Sequence, residues 1–406
     1  MTKTERQMHT TRSSVAEIFM TFLGLGLTSF GGPVAHLGYF RHAFVTRRQW
    51  LDDASYAELV ALCQFLPGPA SSQVGLAIGL IRGGLAGAFA AWLAFTLPSA
   101  LLLMVVAAGA SSLEGPLVTA LVHTLKLVAV VIVAQALLGM ARNLCPDARR
   151  ATLATVAVIL TVLINGTFGH LAAIAAGAIG GLLWCRSTDA QQDSPDLDIR
   201  ISRHTSRAAL ALFAILLAGL PLLHQAWSAN WLGLADAAYR SGALVFGGGH
   251  VVLPLLETAT VTPGWVSEQD FLAGYGAAQA VPGPLFTFAA WLGMVAEGGG
   301  VAMALLMLVA IFLPGALLVI GLLPWWQQLR HLSHLLAAMR GANAAVVGLL
   351  AVAFYDPVWR SAVGSAEDFA LVAAGFVLLV VWRQPAWLIV LAGIAIGLIR
   401  GLIHQY

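Results

Sequence analysis

Apolar residues occupy this chain in long blocks, and polar residues gather in the short stretches between them. Near-continuous apolar runs cover 85–109, 117–140, 150–164, 168–185, 208–223, 301–323, 343–355, 368–382 and 386–400. About 20 apolar residues cross a bilayer as a helix, so the pattern predicts a series of spanning helices, some short or broken. Two further apolar elements are interrupted internally, 15–40 at Gly31-Gly32-Pro33 and 56–81 at Pro67-Gly68-Pro69. Proline removes a backbone donor and glycine weakens a helix interior, so neither element can run as one regular helix. Both interruptions recur later, at Gly247-Gly248-Gly249 and Pro282-Gly283-Pro284.

The recurrence extends over the whole chain. FGGPVAHL (30–37) aligns with FGGGHVVL (246–253), TLPSALLL (96–103) with FLPGALLV (312–319), and AAGAIGGLL (175–183) with LAGIAIGLI (391–399), each pair 216 positions apart. A unit of roughly 180 residues has been duplicated. Between the copies lie a polar linker, CRSTDAQQDSPDLDIRISRHTSR (185–207), and an extra apolar segment at 208–223. The organisation expected is a tail at 1–14, a first repeat at 15–186, a linker with an extra transmembrane helix at 187–235, and a second repeat at 236–403.

One extra span between the copies turns the second copy over, and loop charge tests this because cytoplasmic loops collect Lys and Arg. In the first copy RHAFVTRR (41–48) is basic, while its counterpart after Glu257, TATVTPGWVSEQD, has no Lys or Arg. SSLEG (111–115) has no basic residue, whereas WWQQLRHLSHLLAAMR (325–340) carries two arginines. RNLCPDARR (142–150) is basic and DPVWRSAVGSAED (356–368) mostly acidic. Arg400, near the C-terminus, is the one discordant charge. The expectation is an all-α polytopic membrane protein built from two inverted-topology repeats with broken or re-entrant helices, N-terminus cytoplasmic and C-terminus periplasmic, the plan of many secondary transporters. The basic loop at 41–48 favours a hairpin over a bent crossing helix for the first copy, without deciding between them.

Composition agrees and narrows the functional classes. Of 406 residues 59% are hydrophobic and 10% charged, against about 25% charged in soluble domains. Mean hydropathy is +0.85. The polar first fourteen residues lack the apolar core of a cleaved signal peptide and read as a retained cytoplasmic tail. A net charge of +2 gives no nucleic-acid surface. Cys63, Cys145 and Cys185 are scattered without metal-ligand or disulfide spacing, so neither metal nor cofactor is expected. HExxH, GxSxG, paired carboxylates and a P-loop are all missing, which argues against an enzyme and against direct ATP drive.

Broken backbone at membrane depth leaves N–H and C=O groups that hydrocarbon does not tolerate, so the breaks must be buried or line a polar cavity. After each break a half-helix begins, and its free N–H groups and positive dipole end make an anion site without a charged side chain. Four such starts can converge on one cavity. Around the second break of each copy lie neutral donors, Gln64, Ser71, Ser72 and Gln73 in the first and Gln279 and Thr287 in the second. These suit a tetrahedral oxyanion that must be released again. The candidate substrate-binding set therefore comprises Gly31, Gly32, Pro33, His36, Gln64, Pro67, Gly68, Pro69, Ser71, Ser72 and Gln73 with Gly247, Gly248, Gly249, His250, Gln279, Pro282, Gly283, Pro284 and Thr287.

The motif pairs FGGPVAH with QFLPGPASSQVGLAIG, and FGGGHVVLPLLE with QAVPGPLFTFAAWLG, resemble those of the chromate ion transporter (CHR) family, in its long two-domain form, over about 15–403. The resemblance implies a bacterial inner-membrane protein that exports chromate, with sulfate as the related anion, driven by the electrochemical gradient. A sulfate or other oxyanion permease and an anion channel are the alternatives. The expected partners are the oxyanion and the lipid bilayer, and a homodimer stays open.

A few ionisable residues at membrane depth complete the candidates. Lys126 lies within an apolar run with His123 one turn earlier, as a buried functional cation or a side chain snorkelling to the interface. Arg41 and Glu257 occupy equivalent positions (257 − 41 = 216) just past the glycine breaks, as gating or charge-sensing residues or as interface anchors. His36 and His250 follow the same breaks and either bind anion when protonated, relay protons or cap nearby carbonyls. Trp325, Trp326, Trp382 and Trp387 sit at segment ends and read as interfacial anchors.

Overall fold

A computed structural model describes residues 13–30, 32–110, 116–164, 167–185, 201–245, 252–329 and 332–403, and these are helical, with no strand among them. The main helices are α1 (Val15–Thr28), α2 (Gly32–Arg41), α3 (Asp53–Phe65), the two arms of Ala70–Ala110, namely α4 (70–83) and α5 (85–110), α6 (Pro116–Leu144), α7 (Ala148–Leu163) and α8 (Thr167–Trp184). There follow α9 (Arg203–Ala226), α10 (Asn230–Leu244), α11 (Val252–Thr260), α12 (Glu268–Ala280), α13 (Phe288–Val295), α14 (Val301–Leu322), α15 (Ser333–Ala353), α16 (Ala366–Phe376) and α17 (Ala386–Ile403).

Local sequence fixes where the helices start. Ser14, Asp52, Asp147, Ser202, Ser267 and Ser365 each accept the N–H three residues on, capping α1, α3, α7, α9, α12 and α16. At Asp147 the Arg150 backbone N–H and guanidinium also hold the carboxyl below the usual carboxylate range. The turn that begins after Pro284 has no side-chain cap.

Both breaks of the first repeat reverse the chain, so they are tips of re-entrant hairpins and not kinks in crossing helices. Phe22 on α1 and Phe40 on α2 lie with ring centroids 5.7 Å apart, where a straight helix would separate them by about 27 Å. The Arg82 guanidinium at the end of α4 lies 5.3 Å from the Trp50 ring just before α3. The PGP break of the second repeat reverses the chain likewise: Trp291 Nε1 on α13 donates to Asp270 O on α12 at 3.0 Å, and the Glu297 N–H donates to Trp265 O at 2.8 Å. A second reversal follows each PGP hairpin. At Gly84 the backbone takes φ 63° and ψ −155°, a conformation open to glycine, and α5 then runs for roughly 39 Å. Gly300, 216 positions on, plays the same part at φ 137° before α14.

The two repeats are inverted, as their packing shows directly. Two large apolar clusters form, one around the first-repeat hairpins and one around the second. Helix α5 starts in the first cluster with Ala91, Ala94 and Phe95 and ends in the second with Leu103, Met104 and Ala107. Helix α14 runs the other way, from Met307 and Ile311 in the second cluster to Leu318 and Val319 in the first. The extra helix α9 passes from the first cluster at Leu210 to the second at Leu216 and Leu220, the crossing that turns the second copy over. The copies also interlock. Gly177 and Gly181 of α8 pack on Gly341 of α15, and at the equivalent place Gly397 of α17 packs on Leu121 of α6.

Candidate functional site

Each PGP tip bonds across the repeats to the chain beside the other copy's glycine break. The Gly68 N–H donates to Val245 O at 2.6 Å, and the Gly283 N–H donates to Ser29 O at 2.9 Å. The two bonds are related by the repeat: each PGP glycine reaches the residue two positions before the first glycine of the other copy's break. Glycine is required at both places. Gly68 has φ 125° and Gly283 φ 104°, and a Cβ on Gly283 would lie 2.8 Å from Ser99 Oγ. A Cβ on Gly68 would lie 3.3 Å from Gly315 Cα, and Gly315 is the repeat equivalent of Ser99. The TLPS and FLPG segments of α5 and α14 thus form the walls on which the opposite tips rest.

Polar side chains surround this crossing. Gln73 Nε2 donates to Pro67 O at 2.8 Å and to Gly315 O at 3.4 Å, tying the first PGP tip to the other repeat. In the second repeat Thr287 Oγ1 donates to Pro284 O at 2.8 Å. His36 is buried; its Nε2 lies 3.2 Å from Ser29 O and its Nδ1 3.4 Å from Ser71 Oγ, joining the first tip to the start of α4. Capping a carbonyl beside the break is therefore the contact this histidine makes. Five buried polar atoms, Ser29 Oγ, Ser72 Oγ, Gln73 Oε1, Thr96 Oγ1 and Gln279 Nε2, find no hydrogen-bond partner among the described residues. A side-chain hydrogen bond does join Gln279 to the buried Tyr275.

The remaining expected residues distribute as follows. Gly32 begins α2 at φ 75° with Pro33 next, Pro69 O accepts the Gln73 backbone N–H, and Pro282 is half-buried at its tip. Gly31, Gly247, Gly248, Gly249 and His250 lie outside the described residues. Gln64 is exposed near the end of α3 and makes no hydrogen bond with a described residue; Gln73, on the far side of the break, holds the tip. Arg41 and Glu257 do not pair with each other, since they sit at hairpin bases on opposite faces; Arg41 Nη2 lies 2.7 Å from Asp53 Oδ1 in an exposed ion pair. Lys126 is half-buried without an ion pair among the described residues, and His123 Nε2 lies 2.9 Å from Asp368 Oδ1. Trp326 is a correction. It is buried, not interfacial, because its indole N–H donates to Glu58 Oε1 at 2.6 Å across the repeats.

Sequence reasoning missed Ser29, Glu58, Thr96, Ser99 and Tyr275. For Thr96 and Ser99 a signal existed, because TLPSALLL had already marked the repeat.

Comparison with known proteins decides the family. The chromate transporter family model matches residues 16–182 and again 232–398. The chain belongs to the chromate transporter family. The two matched blocks are offset by 216 residues, the register of the duplicated segments. Among relatives of this family member, the chromate transport protein of Pseudomonas aeruginosa is 26% identical over 390 residues, 94% of this chain and 92% of that one. The chromate transport protein of Cupriavidus metallidurans is 29% identical over 346 residues, 83% of this chain and 81% of that one. The probable chromate transport protein of Synechococcus elongatus is 28% identical, again covering 83% of each chain. No solved structure matches. These relatives are named as transport proteins.

Proposed function

We propose that this protein is a secondary active transporter that exports chromate, or a related tetrahedral oxyanion, from the cytoplasm, and binds it where the PGP tips bond across the repeats. The observation that carries this reading is the set of four unpartnered buried donors around that crossing, Ser29 Oγ, Ser72 Oγ, Thr96 Oγ1 and Gln279 Nε2. Each such donor costs about 1–3 kcal/mol when left unmade, a cost that a bound anion accepting from it would offset. Hydroxyls, amides and helix-start N–H groups can all donate to an oxyanion without clamping it by a fixed charge. Gly32, Pro33, Gly68, Ser72, Gln73, Gly283 and Gln279 would form its immediate surroundings, with His36 fixing the first tip.

The paired tip bonds supply a mechanism. Breaking Gly68–Val245 while Gly283–Ser29 holds frees one tip pair, and the converse frees the other, so alternate opening exposes the crossing to one face at a time. The basic loops at 41–48 and 142–150 favour the first-repeat face as cytoplasmic. The relatives named for chromate transport support the choice of substrate. Uptake of labelled chromate into everted vesicles, with sulfate, phosphate and molybdate as competitors and with the gradient collapsed, tests the reading. Saturable, gradient-dependent uptake is expected. Flux that does not saturate and persists without a gradient refutes it in favour of a channel.

A further inference from the structure

Two cavities open at opposite ends of α6, about 27 Å apart along its axis, and their chemistry differs. The cavity at the α6 start, of about 640 Å³, contains His123, Glu367, Asp368 and Arg400. Its arginine is already committed: Arg400 Nη2 lies 2.9 Å from Glu367 Oε2 and Nη1 3.3 Å from Asp368 Oδ1. The cavity at the α6 end, of about 380 Å³, is lined by Gln135, Arg142, Arg383 and Gln384 with apolar neighbours and no carboxylate. Arg142 and Arg383 are exposed and form no ion pair or hydrogen bond with a described residue. Arg383 moreover holds a left-handed backbone, φ 54°, at the turn between α16 and α17.

Inversion of the fold offers an internal control. The repeat equivalents of Gln135, Arg142, Arg383 and Gln384 are Ala351, Val358, Thr167 and Phe168. The duplicated backbone therefore does not by itself demand two guanidinium groups and two amides here; only one face has them. The cavity is linked to the first tip through one ring contact of a chain neighbour. Its residue Ala386 precedes Trp387, whose ring lies 6.4 Å from Phe30, the residue next to Ser29 in the first tip.

We propose that the Gln135–Arg142–Arg383–Gln384 cavity is an oxyanion-capture site that concentrates substrate at the first-repeat face before it reaches the tips. This rests on the oxyanion-transport reading above. Guanidinium forks match the planar oxygen pairs of tetrahedral oxyanions, and cations at a low-dielectric mouth raise the local anion concentration. The same chemistry would hold a phospholipid headgroup phosphate, so the test separates the two sources.

The full-length protein carrying Arg142→Gln, Arg383→Gln or both is reconstituted in vesicles of phosphatidylcholine alone and with added phosphatidylglycerol, and chromate transport is started from each face in turn. The half-saturating concentration from the first-repeat face is expected to rise roughly three- to tenfold per substitution, less at high salt, with the maximal rate kept and Arg→Lys restoring part of the loss. From the other face half-saturation stays as in wild type. Unchanged values at the first-repeat face, or equal changes at both faces, overturn the proposal. A change seen only with phosphatidylglycerol overturns it in favour of a lipid site. If wild type moves no chromate at all, the transport reading fails on its own. Equilibrium dialysis of chromate against purified wild type and double variant then decides the cavity, weaker binding by the variant supporting it and equal binding overturning it.

Discussion

Gly283→Ala is the sharpest perturbation of the tip crossing. At φ 104° an alanine is forced into a region that L residues rarely adopt, and its Cβ would stand 2.8 Å from Ser99 Oγ. Backbone strain of this kind costs about 1–3 kcal/mol. Relief requires the tip to move, which lengthens the 2.9 Å Gly283–Ser29 bond and leaves the Gly283 N–H without its acceptor, at a further cost of about 1–3 kcal/mol. The competent tip geometry should therefore fall in population by roughly 5- to 150-fold from strain alone. Initial chromate uptake in everted vesicles, at matched membrane abundance, should fall by at least the lower figure. Ser99→Gly should be nearly silent on its own, since Gly315 fills that place in the other repeat, and should recover in the Gly283→Ala background only the part due to the clash. Wild-type uptake rate and affinity in Gly283→Ala would show that the tip does not shape the transport path, and the reasoning from tip geometry would fail.

Other outcomes follow from particular contacts. Reporter fusions at Asp147 and Glu268 should report opposite faces, cytoplasm and periplasm respectively, and the same compartment for both would contradict the inversion. Gln73→Ala removes the 2.8 Å bond to Pro67 O and should weaken apparent chromate affinity about tenfold or more, whereas the exposed Gln64→Ala should change it less than threefold; the reverse order in concentration-dependent uptake would refute the placement. Glu58→Ala strips the buried Trp326 N–H of its acceptor and should destabilise the purified protein by about 1–3 kcal/mol, read as a lowered unfolding temperature in detergent, with Glu58→Gln milder.

The features legible in the sequence are those whose physics is local. Glycine and proline inside apolar sequence announce a break wherever they fall, and a duplicated register needs only two aligned segments to be seen. What escaped is contact between distant segments. Nothing near Gly283 in the sequence reveals that its N–H ends on Ser29, or that Trp326 turns inward to Glu58 and leaves the interface. Gln64 shows a different limit. Its distance from the break was right, but helical rotation of about 100° per residue sets Leu62 and Cys63 on the buried face of α3 and turns Gln64 away. Gln73, on the far side of the break, lies where the tip folds back and so meets it.

Inversion and asymmetry have separable consequences on this reading. The bonds Gly68–Val245 and Gly283–Ser29 are equivalent by the repeat, so states with one or the other open differ by little backbone energy, each bond being worth only about 0.5–1.5 kcal/mol net. Side chains break the equivalence: Ser99 against Gly315 at the walls, and Arg142 and Arg383 against Val358 and Thr167 at the mouths. Such differences alter how readily each face loads, yet they cannot move anion uphill, because a ligand shifts an equilibrium only through differential affinity and a catalyst of exchange leaves the end point alone. Net direction must come from the coupled gradient. The Arg142→Gln, Arg383→Gln double variant should therefore reach the same final chromate accumulation ratio as wild type in energised everted vesicles, only more slowly at low concentration, while collapsing the gradient should abolish accumulation in both. A lower final ratio in the double variant, with membrane leak measured as unchanged, would mean that these arginines take part in coupling, and the separation between capture at the mouth and drive at the tips would be wrong.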